Sequence, residues 1–66
     1  MPRSTREWAK RKLDESVQNI DWSGTHINAV VVTYQADHPE VSDPLKIALQ
    51  ALEDIQTLIA RVRNSF

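Results

Sequence analysis

The residues best equipped for chemistry gather at the start of this chain. Arg3, Arg6, Lys10, Arg11 and Lys12 surround Trp8, with Glu7 as the lone acid among them. Such a cluster suits an anion: guanidinium and ammonium groups contact phosphate, and an indole face stacks on a base. Arg3 and Arg6 also flank a predicted helix N-terminus, where free amides and the helix dipole favour negative charge. Trp22, His26 and Tyr34 add stacking and hydrogen bonding if copies of the chain bring them together. A plainer explanation competes and is the stronger. Glu7–Arg11, Lys10–Asp14 and Arg11–Glu15 each set opposite charges one turn apart, as on a solvated helix face.

The other chemistries have less behind them. His26 and His38 are the only histidines, and the Asp37, Glu40 and Asp43 carboxylates near His38 follow no recognised metal-ligand spacing. No metal and no cofactor is expected. There is no cysteine, no Gly-rich phosphate loop, no HExxH pair and no serine in a nucleophile elbow. The chain reads as a binding protein and not an enzyme.

The 66 residues make one small domain, 1–66. A chain this short buries only about 60% of its unfolded surface and is marginal without a staple. Disulfides and thiolate metal sites are excluded by the missing cysteine, so self-association is the staple expected. The polar N-terminus does not resemble a signal peptide, and no apolar run approaches a membrane span. A cytoplasmic protein is therefore expected.

Net charge is −1, which gives no global drive towards nucleic acid. Its distribution is uneven. Residues 1–12 carry five cations against Glu7, residues 13–60 carry eight acids against Lys46, and Arg61 and Arg63 follow. Basic ends around an acidic middle make a dipolar chain able to pair with its own copies. Duplex DNA would be repelled by the middle, so nucleic acid is not the expected partner.

Three helices are expected to position these groups. Ser4 and Glu7 have the spacing of a capping box, and Ala9, Leu13, Val17 and Ile20 then recur at helical period, predicting a helix over 5–20. Asp21-Trp22-Ser23-Gly24 reads as its terminating turn, with Gly24 the only glycine and Trp22 folding back as a lid on the core. Residues 26–37 read as a second helix, although Val30-Val31-Val32 also suits a strand pairing between copies across 27–34. Asp43 caps a third helix over 44–64, with Pro44 at its first position. The fold class expected is all-α, with the second and third helices forming an antiparallel hairpin inside a homo-oligomeric bundle.

The helix faces point to assembly. The second helix has no charge from Thr25 to Ala36, and Ala29, Val32 and Ala36 form a small-residue strip opposite its main stripe. In the third, Ile47, Ala51 and Leu58 flank the core stripe and widen the apolar arc to about 200°, more than one packed neighbour needs. These six residues are the expected oligomer interface. Trp8 projects about 130° from the first helix's stripe, beside Arg11 and Lys12, whereas Arg6 sits on the stripe side.

The expected function follows. This is a small non-enzymatic interaction protein, of adaptor or inhibitor type, acting as a homo-oligomer whose first helix presents Trp8 and the basic cluster to a macromolecular partner. In size and economy it is similar to phage- or plasmid-encoded accessory proteins. The alternative is an oligomeric sponge for a small anionic ligand such as a cyclic nucleotide. In that case Arg3, Arg6, Trp8, Arg11, Lys12, Trp22, His26 and Tyr34 would line pockets between subunits.

Overall fold

A computed structural model describes residues 3–66, with the side chains of 5–66. The chain is all-α and forms two long helices: α1, Arg3–Tyr34, and α2, Pro39–Asn64. A tight turn joins them. Gln35 N–H donates to the Val31 carbonyl at 2.9 Å and His38 N–H to the Tyr34 carbonyl at 2.8 Å, closing α1. The His38 carbonyl then accepts from the amides of Val41 and Ser42, opening α2.

Three contacts show that the helices run antiparallel. Gly24 faces Leu49, Gln56 Nε2 donates to the Val17 carbonyl at 3.0 Å, and Arg63 Nε donates to Asp14 Oδ1 at 3.1 Å. Partners descend along α1 as they rise along α2. The packed seam of α1 is Leu13, Val17, Ile20, Gly24, Ile27 and Val31, in alternating steps of four and three. That of α2 is Ser42, Leu45, Leu49, Leu52, Gln56, Ile59 and Arg63, with the same alternation. Every one of these is buried or half-buried, as a heptad seam requires.

The expected three-helix chain is thus corrected to two helices, and the hairpin is α1 against α2. The break expected at Asp21–Gly24 does not occur, and Gly24 has no positive φ. Glycine there costs about 1 kcal/mol of helix propensity, but stopping the helix would forfeit the Gly24, Ile27 and Val31 steps of the seam. Tertiary packing overrides the local signal. Residues 27–34 are helical, and no strand occurs among the described residues.

The expected start of the last helix also moves. α2 begins at Pro39, with His38 as its N-cap and not Asp43, and Pro44 lies inside the helix. Pro39 occupies the first-turn position where a missing amide is harmless, so Pro39 and not Pro44 marks the helix start. The Ser4 side chain, and with it the capping box, lies outside the described residues, as does the Arg3 side chain. α1 already includes both residues in its backbone.

The result is a thin rod, not a globule. Its Cα envelope measures 54 × 15 × 11 Å, and its radius of gyration is 15.6 Å, against about 11 Å for a compact chain of this length. Val31 is the only buried apolar residue among those described.

Candidate partner-binding surfaces

Continuing α1 through residues 21–24 decides where the aromatic residues go. Trp8 and Trp22 are fourteen residues apart, nearly a whole number of turns, so both project from the outer side of α1, about 21 Å from each other. They are 53% and 65% exposed. Trp22 is therefore not the expected lid: with no loop to turn it inward, it points away from α2. Beside it, Thr25 and His26 help line a small hollow of about 190 Å³ with mostly apolar walls.

Two of the cations around Trp8, Lys10 and Lys12, are paired, though not as expected. Lys10 Nζ lies 3.8 Å from Glu7 and Lys12 Nζ 3.3 Å from Glu15, both at i,i+3 spacing. Asp14 turns across the hairpin to Arg63 instead of towards Lys10. Arg6 does continue the seam side but is exposed, because the seam partner it needs lies beyond the end of α2. Arg11 is exposed beside Trp8 on the outer side.

Tyr34 sits at the far end. It is 42% exposed, its ring edge-to-face with His38 at 5.7 Å. His38 Nδ1 lies 3.0 Å from Glu40 Oε1, which ties the turn together. At ~1.5 Å per residue, Trp8 and Tyr34 are about 39 Å apart along α1. One copy therefore spreads the candidate anion-binding residues along the rod, and of them Trp22 and His26 share a small, mostly apolar hollow. Two shallow grooves between the helices, of about 410 and 500 Å³, are both lined by Asp21, the larger also by Glu53, and neither by Lys or Arg. Among the described residues no three potential metal ligands cluster. Nor is any helix long and apolar enough to cross a membrane.

The six expected interface residues separate. Ala29 lies on the outer side of α1, and Ala36 falls in the turn. Val32 sits on the groove side, 60% exposed. Ile47 is 73% exposed on the outer side of α2. Ala51 and Leu58 belong to a more coherent surface.

That surface comes from a second heptad seam on α2, one residue N-terminal to the packed one: Val41, Ala48, Ala51, Ile55, Leu58 and Val62. Ile55, Leu58 and Val62 are 43%, 56% and 52% exposed. Reversing a helix's direction reverses its sense of rotation. The flank one residue N-terminal to the seam therefore lies on the same side of the hairpin in both helices. On α1 that flank is Ala9, Lys12, Ser16, Asn19, Ser23, His26 and Val30. Lys12 is the only Lys, Arg, Asp or Glu in either flank, whereas the opposite side carries Asp14, Asp21, Lys46 and Glu53. The hairpin thus has one charged long face and one nearly uncharged long face. Two seams offset by one residue were present in the α2 sequence. They merged there into a single wide arc because the direction of the first neighbour was unknown.

Comparison with protein-family models, with curated proteins and with solved structures finds no match to this chain.

Proposed function

We propose that this chain is a non-enzymatic interaction protein of adaptor or inhibitor type. It works in the cytoplasm as a homo-oligomer, and the outer side of α1 offers Trp8 and its neighbouring cations to a macromolecular partner. The observation that carries this reading is the exposed row Ile55, Leu58 and Val62 on a hairpin with a single buried apolar residue among those described. The chain exposes 5087 Å², against about 4,300 Å² for a compact protein of its mass, an excess of about 800 Å². Covering apolar surface contributes about 2.5 kcal/mol per 100 Å², so association supplies stability that the hairpin's own seam does not. The outer tryptophans lie off the uncharged face, Trp22 bordering it at His26, and stay free for a second partner.

Light scattering on the eluting protein tests the association. At tens of micromolar the wild-type mass is expected to be at least twice 7.6 kDa. Leu58→Glu, which places a charge in the middle of the uncharged face, is expected to shift the population towards 7.6 kDa. A wild-type mass of 7.6 kDa at that concentration overturns the reading.

A further inference from the structure

The hairpin fold brings the two basic ends of the chain to one end of the rod. Residues 3–15 and 60–66 together carry seven cations against Glu7, Asp14 and Glu15, a net of +4. Residues 26–48, around the turn, carry Asp37, Glu40 and Asp43 against Lys46, a net of −2. Over 54 Å the molecule runs from strongly positive to negative.

We propose that a second copy of this chain covers the uncharged face as a two-fold symmetric four-helix bundle with the turns at opposite ends, α2 packing on α2 and α1 on α1. The proposal rests on the self-association proposed above and adds its orientation. Three observations point to it. First, opposite turns lay the basic end of each copy over the acidic turn of the other. Placing both turns at one end would instead stack +4 on +4.

Second, the exposed α2 seam is complementary in side-chain size about Ala51. With Ala51 at the two-fold axis, Ala48 meets Ile55 of the second copy and Val41 meets Val62. Pro44 then falls opposite Leu58. Ile55 and Leu58 each find a smaller side chain, the two valines match, and the two alanines allow close approach at the axis. The α1 flank mirrors the pattern with polar groups: Asn19 faces Ser23, and Ser16 faces His26. Turns at the same end would instead set Ile55 and Leu58 over Ser16 and Lys12. Third, the face has the right size. Its 54 × 15 Å outline gives about 800 Å² per copy, the area of a standard stable interface.

The chain has no cysteine, so introduced thiols report without background. Ala51→Cys is oxidised alone and in an equimolar mixture with Ser23→Cys. The expected result is nearly complete Ala51→Cys homodimer, because residues at the axis come within disulfide reach, and no mixed species. Ala48→Cys/Ile55→Cys is the second variant. Its two thiols lie about 10 Å apart in one chain, too far to link internally, and it is expected to yield covalent dimer. A mixed Ala51→Cys/Ser23→Cys dimer, or a wild-type dimer in which neither Ala51→Cys nor the double variant links, overturns the orientation while leaving self-association standing. A wild-type monomer by light scattering removes both.

Discussion

Gly24 is the residue on which the architecture turns. It occupies a seam position in the middle of a 32-residue helix, with ordinary helical φ and Leu49 across from it. A methyl group added there would lie 3.8 Å from Leu49 Cδ2, which is normal van der Waals contact. Gly24→Ala is therefore expected to stabilise the protein by about 0.5–1 kcal/mol per chain, read as a higher urea midpoint. A lower midpoint would mean that the residue serves as a hinge and not as a seam position. Asp14–Arg63 is two-pronged but largely exposed, and such pairs contribute about 0–1 kcal/mol. Orientation of the helices owes more to Gln56, whose amide crosses to the Val17 carbonyl from a half-buried seam position. None of these three roles was legible beforehand. A glycine, a glutamine and an arginine in a heptad seam look like interruptions until the partner helix is known. Leu13, Val17, Ile20, Leu49 and Leu52 were legible, because apolar period alone identifies them.

The helices repeat this division. The helical character of 44–64 and of 5–20 followed from period, and α2 differs from the expected element only in starting at Pro39. The error lay in α1, where Asp-Trp-Ser-Gly carries real turn chemistry, and only contact with α2 outweighs it. Joining the two segments also turned Trp22 outward and aligned it with Trp8. The paired tryptophans, invisible in a three-helix reading, are the clearest surface for a partner other than a second copy. Trp8→Ala/Trp22→Ala is expected to keep the helical circular-dichroism spectrum and the self-association of the wild type, since both side chains lie off the seam and off the uncharged face. Capture of the protein's macromolecular partner is expected to fall at least tenfold, as for other aromatic hot spots. Undiminished capture by the double variant would remove the outer side of α1 from the proposed function.

Taken whole, the molecule is a rod with a charged long face, an uncharged long face and a charge gradient from end to end. The basic ends and acidic middle were legible as composition, but not that both ends share one end of the rod, because that follows from the hairpin. A structure so thin is expected to draw its stability from association, so folding and assembly should be linked by mass action. Thermal unfolding followed by circular dichroism over a hundredfold range of concentration measures that linkage. A dimeric bundle is expected to lose about 5–10 °C in melting temperature on hundredfold dilution, with helicity and light-scattering mass falling together. A melting temperature independent of concentration, with a mass of 7.6 kDa throughout, would contradict it.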